Sequence, residues 1–210
     1  MIAMRRLALA AVTATIASLA SLSPARADGT YFSLGFGPGE ISDELGQYAT
    51  DSFGAKIAVG HRLGKVAFEA YVAPEDGERG GYASTVSMLR LGVDVRYLLP
   101  VNKNLQFYVR GGLSKMSATL SGAGRAYGDD EFRGRGLGGG AGVQLRGRVR
   151  VMGFMYWPMF FVPLGPKVNA ALFIDHGVDF YRLHRQVGPA RSIDARLTRL
   201  TIGLNVGADF

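Results

Sequence analysis

The chain contains no cysteine among its 210 residues. Disulfides, thiolate metal sites and thiol nucleophiles are therefore excluded, as is anchoring through a lipid-modified N-terminal Cys. Histidine occurs 3 times and Trp once. Beyond residue 27 no apolar run approaches the roughly 20 residues that a membrane-spanning helix needs. No long window carries a 3.6-residue hydrophobic period either. A strong excess of one charge is also lacking. The formal charge of +7 falls to +4 once Arg5, Arg6 and Arg26 are set aside with the leader described next, too little for a nucleic-acid footprint.

The chain opens "MIAMRRLALAAVTATIASLASLSPARADGT". Arg5 and Arg6 precede an Ala- and Leu-rich stretch from Leu7 to Leu22; Pro24 ends it, and Ala25-Arg26-Ala27 offers a small-x-small cleavage site. That is the layout of a secretory signal peptide, and a retained membrane anchor fits less well because the apolar run is short. Residues 1–27 are expected to be removed, leaving residues 28–210 as one domain.

The remaining chain alternates with a period of 2. In "VAFEAYV" Val66, Phe68, Ala70 and Val72 share one face; in "SMLRLGVDVRY" Leu89, Leu91, Val93, Val95 and Tyr97 oppose Arg90, Asp94 and Arg96. "LQFYVRGGL" sets Leu105, Phe107, Val109 and Leu113 against Gln106, Tyr108 and Arg110. "VNAALFIDHGVDF" does the same with Asp175 and Asp179 on its polar side and His176 misplaced on its apolar side. The last stretch, "RLTRLTIGLNVGADF", alternates through Leu200, Ile202, Leu204, Val206 and Phe210. Pro38, Pro74, Pro100, Pro158, Pro163, Pro166 and Pro189 all fall outside the strands read this way. Long polar loops are expected at 38–50, 73–84, 117–135 and 185–195, with tight turns at "HRLGK" and "LPVNKN". "MGFMYWPMFFVPLGPK", from Met152 to Lys167, is read as a greasy connection, giving eight strands; an extra hairpin there would give ten.

One face is nearly free of charge while the other carries charge in mid-strand. This predicts an all-β, antiparallel up-and-down barrel whose apolar face meets lipid, since a sheet in a bilayer must close on itself. A soluble lipocalin-like binder alternates too and is the competing fold. Tyr97, Phe107, Tyr156, Trp157 and Phe210 would form an aromatic belt on the periplasmic side. An eight-stranded barrel is only wide enough for side chains, so Arg90, Asp94, Arg96, Arg110, Arg146, Arg148, Asp175 and Asp179 are expected to pair inside it. The alternative for the same charges is a narrow porin-like ion path.

On this alternation and the terminal aromatic, residues 29–210 resemble the small eight-stranded outer-membrane barrels of Gram-negative bacteria, the group of the OmpA transmembrane domain and OmpX. The resemblance is one of alternation and not of aligned motif. It implies location in the outer membrane, contact with its lipid and lipopolysaccharide, a monomer, and a closing strand read by the outer-membrane assembly machinery through Leu204, Val206 and Phe210. No peptidoglycan-binding domain follows Phe210, so that role of OmpA is not expected here. The implied function is structural or surface-interacting, carried by the extracellular loops.

Three further features bear on function. Gly134, Gly136 and Gly139 spell G-x-G-x-x-G, but strand alternation follows where a dinucleotide site needs a helix; inward Gly138, Gly140 and Gly142 instead leave room for Tyr108 or Arg110. His61, His176 and His184 raise lipid A acyl chemistry as an enzymatic alternative, with His176 the intramembrane candidate, although no His-x-Ser pair is present. No metal, cofactor or nucleic acid is expected.

Overall fold

The computed structural model describes residues 29–78, 84–122, 130–150, 153–154, 161–162, 167–186 and 189–207. The leader, Tyr156, Trp157 and Phe210 lie outside them. The strands are β1 (Thr30–Asp43), β2 (Asp51–Leu63), β3 (Val66–Glu78), β4 (Ser84–Pro100), β5 (Leu105–Gly122), β6 (Asp130–Arg150), β7 (Gly153–Phe154), β8 (Phe161–Val162), β9 (Lys167–Arg185) and β10 (Ser192–Gly207). Eight of them close into an antiparallel barrel in the order β1-β10-β9-β6-β5-β4-β3-β2, while β7 and β8 pair only with each other. The Met152–Lys167 segment thus adds no pair of strands to the barrel.

β1 and β10 join the ends of the chain through Phe32↔Val206, Leu34↔Leu204 and Phe36↔Ile202. One circuit of cross-strand partners from Tyr31 passes Gly60, Glu69, Asp94, Gly112, Gly138, Asp179 and Leu197 and returns to β1 at Ile41, ten residues further along. That stagger tilts the strands by about 40° and leaves an interior only side chains can fill.

The eight barrel strands run 13 to 21 residues, well beyond the roughly 9–11 needed to cross a bilayer. They continue into much of the sequence expected to be loop, and three of the prolines expected outside strands belong to them: Pro100 is the last residue of β4, and Pro38 and Pro74 lie in strand interiors. Pro38 pairs with Phe53 of β2, and the ladder to β10 jumps from Phe36↔Ile202 to Gly39↔Arg199. Pro74 pairs with Leu89 of β4, and the ladder to β2 jumps from Ile57↔Val72 to Gly54↔Glu75. Proline lacks one donor, so each ring interrupts pairing on one side only.

The extra length changes what the two faces carry. In the lower part of β10, Leu200, Ile202 and Leu204 face out while Thr201, Gly203 and Asn205 are buried; in the upper part Asp194 and Arg196 face out while Ile193, Ala195 and Leu197 are buried. The apolar side chains switch parity between Leu197 and Leu200. The same switch falls between Met88 and Leu89, between Leu113 and Met116, and between Phe180 and Tyr181. Below the switch the outer face meets lipid and must be apolar. Above it the outer face meets water, and the apolar residues turn inward. Ile41, Met88, Met116, Leu120, Phe132, Leu183, Ile193 and Leu197 form this upper core, joined by Leu45 of a 3-10 turn (Leu45–Gln47) that folds into the mouth of the barrel. The turn is tied down by Asp194 N–H donating to Glu44 Oε2 at 2.8 Å.

Candidate functional site: the charged interior and the outer rim

Beneath the apolar plug the barrel holds two groups of buried ion pairs. In the first, Lys56 Nζ meets Asp94 at 2.8 Å and Glu69 at 3.3 Å, Arg96 meets Glu69 at 2.7 Å, and Arg110 meets Asp175 at 2.9 Å and Asp94 at 3.4 Å. In the second, Arg90 meets Asp179 at 2.9 Å and Glu75 at 3.0 Å, and Arg199 meets the same two carboxylates at 3.3 and 3.6 Å. The first group contains three cations and three carboxylates, the second two of each, so both are neutral. A buried ion is tolerated when it is paired and hydrogen-bonded. Glu69 illustrates this, since it also accepts from Tyr31 Oη at 2.8 Å. Lys56 lies over the Tyr71 ring at 4.4 Å and Arg96 over the Tyr108 ring at 4.8 Å, which further occupies the lumen.

Six of the eight interior candidates, Arg90, Asp94, Arg96, Arg110, Asp175 and Asp179, are members of these groups. Arg146 is only partly buried, near the periplasmic end of β6, and belongs to neither group; the side chain of Arg148 lies outside the described residues. Four further members, Lys56, Glu69, Glu75 and Arg199, are not among the eight candidates. Glu75 lies in the stretch 73–84 expected to be loop, yet it shares the parity of inward Glu69 and Tyr71. Arg199 shares the parity of inward Thr201 and Asn205.

The glycines follow a simple spatial rule. Five inward aromatics of the barrel wall lie directly across from one: Tyr31↔Gly60, Tyr71↔Gly92, Tyr108↔Gly142, Tyr181↔Gly136 and Phe173↔Gly203; Phe132, in the upper core, faces Ala118 and Arg185 instead. A Cβ on Gly92 would sit 2.6 Å from the Tyr71 ring, and one on Gly142 would overlap Tyr108. The glycine run of β6 therefore makes room for neighbours, as the sequence reading held for Tyr108; Arg110 instead crosses over Gly177 of β9.

On the outer surface, Tyr97 and Phe107 face out near the periplasmic ends of β4 and β5. Leu204 is exposed on the apolar band, and Val206 is partly exposed beside it. His176 also faces out, between Ala141 of β6 and Leu200 of β10, with pairing unbroken on both sides. His61 Nδ1 lies 3.1 Å from Thr30 Oγ1 near the lower turn. His184 Nδ1 lies 2.8 Å from Ser192 Oγ on the rim, and among the described residues no carboxylate completes a triad with them. Nor do the described residues contain three or more His, Asp or Glu arranged to hold a metal.

Residues 7–148 match the family model described as the outer membrane protein beta-barrel domain. No curated protein matches the chain. Among solved structures, Neisserial surface protein A superposes with a TM-score of 0.57 at 17% identity, covering 86% of this chain and 97% of that one. The N-terminal barrel of Pseudomonas aeruginosa OprF gives 0.44 at 15% identity, covering 86% and 99%. The attachment invasion locus protein Ail of Yersinia pestis gives 0.46 at 11% identity, covering 84% and 97%. At such identities the first likeness speaks for the fold alone.

Proposed function

Because the chain belongs to the outer membrane protein beta-barrel domain family, we propose that it is a closed outer-membrane barrel whose work is done at its outer surface and not through its lumen. The observation that carries this reading is the filled interior: two neutral ion-pair groups beneath an apolar plug. A conducting path needs a hydrated, unblocked lumen, and neither layer offers one. On this reading residues 1–27 direct export, the chain begins near Asp28, and the alternating β10 with Phe210 is what the assembly machinery reads. The barrel acts as a monomer, and its outward rim and loops are the interaction surface.

Reconstitution in a planar bilayer tests the proposal. The expected result is little or no conductance; large, stable steps would overturn it. Membrane fractionation with N-terminal sequencing tests the export reading, and protein found in the soluble periplasm would sink it.

The His184–Ser192 contact supports a second, catalytic reading, in which Ser192 Oγ, passing its proton to His184, would attack a lipid acyl ester and release the protonated lipid alcohol, after which water would free the chain from the serine as a fatty acid. Mass spectrometry of lipid A from cells with and without the protein separates the two readings. An acyl-chain loss abolished by Ser192→Ala and by His184→Ala would favour catalysis.

A further inference from the structure

Above the parity switch, one side of the rim is basic. Lys115 of β5 lies directly across from Arg135 of β6, and Arg135 lies across from Arg182 of β9. All three side chains are exposed, and none forms an ion pair among the described residues. Like charges placed directly opposite on a sheet repel one another. Asp194 of β10 lies directly across from Arg182 and offsets one of these charges, so the row keeps an excess of two cations and is matched to an anion from outside.

Two residues below, the same three strands carry Leu113, Leu137 and Phe180, again directly across from one another. These are 64%, 62% and 50% exposed. The two rows are separated by about 7 Å along the strands. A groove of about 400 Å³ over β6, β9 and β10 touches both rows, lined by Arg135, Leu137, Phe180 and Arg182, with Asp194 of β10 and Asp43 of β1 on its far side. The two carboxylates confine the positive surface to β5, β6 and β9.

The opposite side of the rim has the reverse sign. Glu40, Asp51 and Glu78 lie across from one another on β1, β2 and β3, with no basic residue among them. The basic patch is thus a local feature and not a ring around the barrel.

We propose that this patch binds lipopolysaccharide of the outer leaflet, with its lipid A phosphates on Lys115, Arg135 and Arg182 and its acyl chains along Leu113, Leu137 and Phe180. The inference rests on the outer-membrane reading above and deepens it by naming the ligand and its side of the barrel. The vertical order decides the class of ligand. An anion alone would need only the upper row, and a detergent-like chain only the lower. A lipid with phosphates joined to its acyl chains uses both, and its phosphates lie at the depth where the wall changes from apolar to basic. Charge-assisted bonds from Arg to phosphate supply the specificity.

The test uses the refolded protein in phosphatidylcholine nanodiscs, titrated with bis-phosphorylated lipid A and followed by native mass spectrometry. Heat-modifiable gel mobility is read first. A chain that never shows the shifted, folded band overturns the barrel reading itself, and the inference falls with it. For folded protein, Arg135→Gln/Arg182→Gln is compared with Lys65→Gln/Lys103→Gln, which removes the same charge at the other end of the barrel. The expected result is at least a tenfold weaker apparent affinity in the first variant and no change in the second. Lipid A stripped of its phosphates should lose affinity for the unmodified protein to a similar extent. Equal losses in both variants, no loss in either, or phosphate-independent binding would each overturn the proposal. A salt-sensitive dimer that excludes lipid A would overturn it too, by assigning the patch to a second copy of the chain.

Discussion

Asp179 is the carboxylate on which the neutral-interior argument can be tested most sharply. Its Oδ2 sits 2.9 Å from Arg90 Nη1 and 3.3 Å from Arg199 Nη2, and all three side chains are almost wholly buried. Asp179→Asn keeps the size and one acceptor but leaves the four-membered group with two guanidinium ions and Glu75 alone. Removing one partner from a buried pair costs about 3–5 kcal/mol, because the remaining charge is uncompensated. The asparagine retains some hydrogen bonding, so a loss of about 3 kcal/mol is expected. Arg199→Met leaves the opposite imbalance and should lose a similar amount. The double variant is neutral again, since Arg90 and Glu75 still meet at 3.0 Å. Its loss should therefore be about 3 kcal/mol and not the roughly 6 that additivity requires, a coupling of about 3 kcal/mol. Urea titration of the protein folded in lipid vesicles, read by gel mobility with both folding and unfolding limbs, measures all four corners of the cycle. Additive losses within about 0.5 kcal/mol would refute the reasoning, because charge balance would then not be what these residues contribute.

Leu204→Arg puts a charge on the lipid-facing band and should lose about 2–4 kcal/mol in vesicles, whereas deletion of Phe210 should lower insertion in cells and leave refolding in detergent nearly unchanged. Gly142→Ala should lose about 1–3 kcal/mol by overpacking against Tyr108, while Gly147→Ala, where a Cβ would meet nothing within 4 Å, should be close to neutral in the same titration. Leu197→Asn, in the upper core, should open the outer end of the barrel to trypsin while the membrane-embedded part stays protected. Leu200→Asn, three residues further on the lipid side, should instead weaken folding in vesicles.

The barrel and its strand count were legible because a period of 2 survives in every strand. So was the sense of the apolar face: Leu89, Leu91, Val93 and Val95 do face outward, opposite Arg90, Asp94 and Arg96. The upper barrel was not read, although its signal is present. "KMSATL" alternates as cleanly as "LQFYV", but Met116, Ala118 and Leu120 have the other parity. Once a single apolar face is assumed, such a stretch looks like loop. Pro38 and Pro74 obscure it further, because a proline reads as the end of a strand and here interrupts only one of its two ladders. Glu75 lies in a stretch that reads as loop. The partnership of the ion pairs was not legible at all, since Arg90 and Asp179 come from β4 and β9, 89 residues apart, and meet only through the barrel's closure.

That dependence on closure bears on the order in which the chain assembles. As β1 to β5 are synthesised they bring Lys56, Arg90, Arg96 and Arg110 against Glu69, Glu75 and Asp94, a surplus of one cation. Asp175, the carboxylate that neutralises the first group, arrives only with β9; the second group, already balanced by Arg90 and Glu75, gains Asp179 with β9 and regains neutrality only when Arg199 arrives with β10. An open sheet lacking its final two strands would therefore present unbalanced charge to whatever fills the unfinished lumen, and water is the only medium that tolerates it. Half a barrel has no resting place in the hydrocarbon. Charge balance in the interior is thus complete only when β9 and β10 are both in place, and closure of the barrel is the condition for drying its lumen.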